Sequence, residues 1–297
     1  MSRTIPVFAC ALVAAALVSA PRPPTLLVLE KGASSLDFYD DAGNRLGGVP
    51  VGWHPHEMVL SPDKRTVYTT DNGTMRIEQP GTDGNEVSII DLPGRKRTGT
   101  ISLGKFRRPH GIDIDPSTGH LAVTCELPDR LLILDPQART VIRTYDTKGK
   151  TSHMVTFGRG ARWAYVSNAT SANVSAINLA SGEVKLIATP KRPEGSVLSP
   201  DGTQLYVCNR EGKAISIIDT DKQALAGTIA TGNDPVRVGV TPDGKLLVYA
   251  LKEDKAIDFA DPVARRVIGS VKLDGEPVSL HLSADGKIAY AAAEESD

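Results

Sequence analysis

The chain has only three cysteines in 297 residues, Cys10, Cys125 and Cys208, so no disulfide framework carries its fold. Charge of neither sign dominates. Its 34 lysines and arginines stand against 35 aspartates and glutamates, which excludes the basic footprint of a nucleic-acid binder or an electrostatic membrane binder. Beyond the first twenty residues no apolar run is long enough to cross a membrane, so no stable insertion is expected. Helical periodicity is missing from the same region. There is no Gly-rich phosphate loop, no Ser-His-Asp arrangement, no CxxC zinc pattern and no CxxCH for covalent haem. Histidine is scarce as well, at six, and that scarcity makes the placement of each one informative.

At the N-terminus, Arg3, the apolar run Ile5 to Val18 and the small pair Ser19-Ala20 read as a secretory signal peptide over residues 1–20. This predicts a periplasmic or secreted protein whose mature part, residues 21–297, is one domain. With 40% hydrophobic residues that part can bury a real core, but it is large for one ordinary layered domain.

Self-comparison explains the size. "SPDGTQLYVCNREGKAISIIDTDKQALAGTIATGNDP" reads as a strand, a Pro-Asp-Gly turn, and strands ending at Asn209, Asp219 and near Ala230. The same grammar recurs along the chain. Third strands end at Asp40, Asp91, Asp135, Asn178, Asp219 and Asp261, and the turn after the first strand recurs at Pro62, Pro116, Arg159, Pro200, Pro242 and Ala284. Four short strands in a period of about 42 residues are the signature of β-propeller blades, each of which must cover both apolar faces with its neighbours. The fold expected is an all-β propeller of four-stranded antiparallel blades. The first unit lacks an innermost strand and the last stops after two, so a seven-bladed type lacking its last strands is expected. Six blades, with Ser279 to Ser283 closing the ring and an extra strand left over, is the alternative.

"YVSN" (Tyr165 to Asn168) and "YVCN" (Tyr206 to Asn209), each followed by a strand ending in Asn178 or Asp219, resemble the YVTN-type propeller repeat of secreted and surface-layer bacterial proteins. "HPHEMVLSPD" (His54 to Asp63) is similar to the His-Pro-His segment of lactonase-type seven-bladed propellers. The second resemblance implies ring-opening hydrolysis or a related lyase step.

In a propeller the connections entering each innermost strand, and those between strands two and three, share the face at the mouth of the channel. The residues entering the innermost strands are Pro55-His56, Pro109-His110, Ser152-His153, Pro193-Glu194, Pro235-Val236 and Pro277-Val278. Six histidines scattered at random would put roughly 0.1 in any such column; three are found. His56, His110, His153 and Glu194 are therefore the candidate ligands of a divalent transition metal, Zn, Mn, Fe or Cu. Glu194 is also the candidate general base. Arg108 and Arg192, in "RRPHG" and "KRPEG", stand beside these ligands and suit a carboxylate or phosphate on a small substrate. An insertion in blade two, "NGTMRIEQPGTDGNE", lies over the same mouth. His54 falls one step outside the register, His120 belongs to the opposite face, and His281 is expected packed within a strand. Cys125 and Cys208 are expected as buried thiols.

These residues predict an exported, monomeric propeller acting on a small molecule as a metal-dependent hydrolase or lyase. A non-catalytic periplasmic or cell-surface module binding a ligand or protein is the alternative, and a cofactor-bearing electron-transfer propeller is a third reading.

Overall fold

A computed structural model describes residues 24–75 and 83–294. The expected signal peptide and most of the insertion in blade two lie outside the described residues. Apart from one short 3-10 turn at Arg159–Ala161, every element is a β-strand.

Five sheets have four antiparallel strands each. Blade two illustrates the unit, with Pro55–Leu60 innermost, then Thr66–Asp71, Glu86–Asp91 and Lys96–Ser102. The innermost strands of blades three to six are Arg107–Ile114, Ser152–Phe157, Pro193–Leu198 and Pro235–Val240. Blade one has three strands, Leu26–Glu30, Ser35–Tyr39 and Arg45–Pro50. The all-β propeller is thus formed, and the described residues make six blades, the alternative count. Residues 279–283 do not complete blade one: Glu276–Leu282 pairs with Ala289–Glu294 in a two-stranded seventh sheet. Leu280 and Leu282 of that sheet pack on the outer face of blade six, against a cluster that includes Val236, Val248 and Ile257.

The period-2 alternation of strand two shows why the blades stack. In "QLYVCN" (Gln204–Asn209), Leu205 and Val207 enter a cluster with Val174, Ala176 and Ile187 of blade four. Tyr206 and Cys208 enter another with Val238, Leu247 and Tyr249 of blade six. Successive side chains point to opposite faces of a sheet, so one strand supplies two cores. Cys125 and Cys208 are both fully buried free thiols, and burial pushes each thiol well above its usual range.

Polar links also tie the blades together. Asp113 of blade three accepts the backbone N–H of Phe157 in blade four at 2.7 Å, and that of Ile114 at 2.8 Å. Near the channel the innermost strands approach so closely that only glycine fits at two places. A Cβ on Gly111 would stand 2.6 Å from the carbonyl oxygen of His153, and one on Gly195 would stand 2.4 Å from that of Val236.

Two outcomes are expected. Gly111→Ala should destabilise the chain by about 1–3 kcal/mol, because the clash is with backbone that cannot rotate away; an unchanged urea midpoint would refute the close approach. Desolvation pushes the Asp113 carboxyl up to about 6, with its two hydrogen bonds opposing. The folded state therefore holds this proton more tightly than the unfolded chain. The resulting stabilisation is full below the ordinary carboxylate range and is lost as pH rises through about 6. Urea midpoints between about pH 4 and 7 should carry this falling component in the native chain and lose it in Asp113→Asn; equal slopes in the two proteins would contradict it.

Candidate functional site

Every innermost strand begins with the same irregularity. Pro55 pairs with Asp71 but Met58 with Thr69, so the bulged strand has one residue more than its partner over this interval. The same shift recurs from Pro109 to Ile112, Ser152 to Val155, Pro193 to Ser196, Pro235 to Arg237 and Pro277 to Ser279. In blades two to six the residue before the bulged interval is left-handed: His54, Arg108, Thr151, Arg192 and Asp234 have φ of 46–58°. A bulge re-aims the side chain beside it. Here those side chains are His56, His110, His153 and Glu194.

Threonines on strand two fix the bulges in relation to one another. Thr70 Oγ1 accepts the N–H of Glu57 at 3.1 Å and donates to the carbonyl of His110, one blade on, at 2.7 Å. Thr124 repeats the pattern, accepting from Gly111 at 2.8 Å and donating to the carbonyl of His153. The three histidines, far apart in sequence, are thereby brought into one stack. The rings of His56 and His110 have centroids 3.6 Å apart, those of His110 and His153 are 3.7 Å apart, and the outer two are separated by 6.1 Å.

Burial, then the neighbouring histidines and cations, drives the His56 and His153 imidazoles well below the usual histidine range, so both are neutral at pH 7. His110 Nδ1 faces Glu126 Oε1 at 2.7 Å. A carboxylate only accepts, so Nδ1 carries a hydrogen. Nε2 of His110, with Nδ1 of His56 and Nδ1 of His153, is buried and has no hydrogen-bond partner. His56 Nδ1 does lie 3.3 Å from Glu57 Oε1, but without hydrogen-bond geometry. Among the described residues no group of three or more His, Cys, Asp or Glu side chains has the arrangement of a metal site. Neighbouring ring planes are tilted by 43° and 40°, and the outer two meet edge-on at 82°.

Glu194, on blade five, is buried and held by cations. Arg192 Nε donates to it at 2.9 Å and Arg210 Nη1 reaches its oxygens at 3.1 and 3.2 Å, while His153 Nε2 stands 3.7 Å off. Arg210 is pinned in turn by Asp234. Arg108 donates to Asp83 at 2.7 Å and lies 3.7 Å from Glu126. The two arginines expected to meet a substrate are thus engaged with carboxylates of the mouth.

Sequence reasoning missed two further columns. The position after Glu30, Asp71, Cys125, Asn168, Asn209 and Leu251 gives Lys31, Asn72, Glu126, Ala169, Arg210 and Lys252, which supplies the partners of both His110 and Glu194. Its signal was one position beyond the strand ends already in register. Desolvation lowers the Lys31 ammonium to about 8; its charged neighbours Glu126, Glu57, Glu294 and Arg237 come from four different sheets, which places it over the channel. The second column follows the histidines. It reads Glu57, Gly111, Met154, Gly195, Arg237 and Ser279, and Arg237 Nη2 meets Glu57 Oε1 at 2.5 Å across the ring.

The remaining histidines stay apart from the stack. His54 turns outward, its ring 4.6 Å from Trp53 and its Nδ1 on the carbonyl of Lys31. His120 caps the opposite-face turn through its carbonyl, and His281 is exposed, not packed.

The double clamp makes Glu194 a sensitive point. Arg210→Met should cost roughly 3 kcal/mol by leaving buried charge under-compensated, and Arg210→Met/Glu194→Met should recover part of it. Additive losses in a thermal-melt double-mutant cycle would show that the pair is not coupled.

Comparison with known proteins agrees with this architecture. Residues 103–261, more than half of the chain, match the family model described as "Lactonase, 7-bladed beta-propeller". Among solved structures the chain is similar to Kuenenia stuttgartiensis hydrazine synthase, with 19% identity, 96% of each chain covered and a TM-score of 0.74, a likeness of fold. No curated protein sequence matches. The chain belongs to the lactonase-type seven-bladed β-propeller family.

Proposed function

We propose that the chain is a lactonase-type hydrolase that opens a small cyclic ester at the histidine stack, with His56, His110 and His153 as ligands of a divalent transition metal. The observation that carries this reading is the set of three buried imidazole nitrogens without partners, two of them on rings held neutral. Neutral imidazoles are the donors that zinc, manganese, iron or copper take. Glu126 behind His110 adds the carboxylate–histidine pairing that fixes the tautomer and raises the basicity of a ligating ring. A metal bound there would polarise the ester carbonyl and lower the pKa of an attacking water.

The protein's own residues would do the rest. Lys31 offers an ammonium over the channel for the carboxylate of an anionic substrate. Arg192 and Arg210 hold Glu194 against His153 and leave it little freedom as a base. The Glu57–Arg237 bridge joins blades two and six beside the histidines. The apolar Ile5 to Val18 segment supports an exported protein, and "YVSN" and "YVCN" support a YVTN-type repeat.

The 2.7 Å contact of His110 with Glu126 favours a second, metal-free reading. In it His110 Nε2 takes a proton from water as the water oxygen adds to the acyl carbon. The ring C–O bond then breaks, and the proton passes to the departing alkoxide.

One experiment separates the readings: elemental analysis of the purified protein, with initial rates on γ- and δ-lactones before and after chelation. The expected outcome is about one metal ion per chain, hydrolysis lost on chelation and restored by metal, and a kcat/KM about 10²–10⁴-fold lower in His110→Ala. Hydrolysis indifferent to chelator but lost in Glu126→Gln supports the dyad and overturns the metal. Neither metal nor turnover leaves the non-catalytic binding module.

A further inference from the structure

The repeat breaks its own rules twice on the face opposite the histidines, and the two breaks meet. The turn after the first strand carries Pro-Asp or Asp-Pro in blades two, three, five and six; in blade four it is "GRGAR", wound into the 3-10 turn Arg159–Ala161. The second break is in the turn between strands three and four. There blades two, three and six carry a left-handed arginine that reaches back over the preceding blade. Arg95 bonds the carbonyl of Leu46, Arg139 covers Gly99, and Arg265 covers Gly227. Blade four has Gly182 and blade five Gln223 at this position, both left-handed, and the shorter side chain of Gln223 turns inward to blade four.

Where the arginine is missing, a cavity of about 360 Å³ opens between blades four and five. Its inner wall is polar and buried. Gln223 Nε2 donates to Tyr165 Oη at 2.9 Å and to the carbonyl of Thr220 at 2.6 Å. Because that carbonyl can only accept, the amide nitrogen must face it, and the orientation of the amide is fixed. Gln223 Oε1 is left buried without a partner, an unsatisfied acceptor that a ligand hydroxyl or N–H would complete. Trp163, half-buried, offers an aromatic surface beside it. At the rim Arg159 and Arg162 are exposed, and their guanidinium groups have no hydrogen bond or ion pair among the described residues. Gly202 gives Arg159 its place, since a Cβ there would stand 2.8 Å from the Cβ of Arg159.

We propose that this cavity is a second binding site, for a small hydroxy-carboxylate. The two guanidinium groups take the carboxylate, for which their planar donor fork is suited. Gln223 Oε1 accepts from a hydroxyl, and Trp163 covers the carbon chain. Asp221, also on the rim, disfavours a dianionic phosphate and selects a single negative charge. The site is built from residues unrelated to the histidine stack, so it stands whether or not the stack is catalytic.

The test uses the chain's own reporter. Trp53 and Trp163 are its two tryptophans, and Trp53 lies at the opposite mouth. In full-length protein carrying Trp53→Phe, fluorescence therefore reports on the cavity alone. Titration with D-gluconate is expected to give a saturable change with Kd below about 1 mM. Sodium chloride at equal ionic strength and neutral methyl glucoside should give none. Arg159→Ala/Arg162→Ala should weaken gluconate at least about tenfold, and Gln223→Leu should weaken gluconate more than acetate. Arg159→Glu, a change at an exposed position, should abolish binding by repulsion and serves if the double variant does not fold. No saturable change up to about 10 mM, or undiminished binding in the arginine variants, overturns the site. Tighter binding of glycerol 3-phosphate than of gluconate overturns the assignment to a carboxylate.

Discussion

Everything in this molecule depends on one constraint: a four-stranded sheet with two apolar faces cannot leave either of them in water. Burial of apolar surface on both sides of every blade is the dominant stabilising term. It is met by giving consecutive residues of one strand to two different cores, as Leu205 and Val207 serve blade four while Tyr206 and Cys208 serve blade six. The ring follows from that division of labour. So does the site, because only a ring of blades brings His56, His110 and His153 to one place.

The polar links explain how an arrangement set by non-directional packing becomes specific. Thr70 and Thr124 each satisfy an N–H exposed by a bulge and a carbonyl of the next blade with a single hydroxyl. Buried backbone groups left unpaired would be costly. The same bonds therefore stabilise the innermost strands and set the relative heights of the histidines. Stability and site geometry share these atoms, and neither can be altered alone.

Much of this was legible in the sequence because a repeat multiplies a weak signal. Strand ends such as Asp135, Asn178 and Asp219 fix the register, and the register aligned His56, His110, His153 and Glu194 without knowledge of the backbone. What it could not show was the direction of each side chain beyond the column. Glu126 and Arg210 sit one position past Cys125 and Asn209, and their roles depend on a bulge that no propensity predicts. Arg108 and Arg192 look free in sequence because their partners, Asp83 and Glu194 among them, are drawn from other loops or from across a tight turn. The blade count also escaped. Whether residues 276–282 join the first blade or pair locally with residues 289–294 is decided by tertiary packing, and the alternating pattern of the strand fits either choice.

The Glu57–Arg237 bridge has a bearing on how the protein is made. Its two ends are 180 residues apart in sequence, on blades two and six, and it can form only after the intervening blades have curved into a ring. Contacts of such long sequence separation carry the largest loop-closure cost and form late in folding. The bridge runs beside the histidine stack, with Glu57 the immediate neighbour of His56. A partly assembled chain would therefore hold the histidine stack, which stands on three consecutive blades, without the bridge beside it. In this fold the closed mouth is the last thing to exist, and the bridge reports that the blades have curved into a ring.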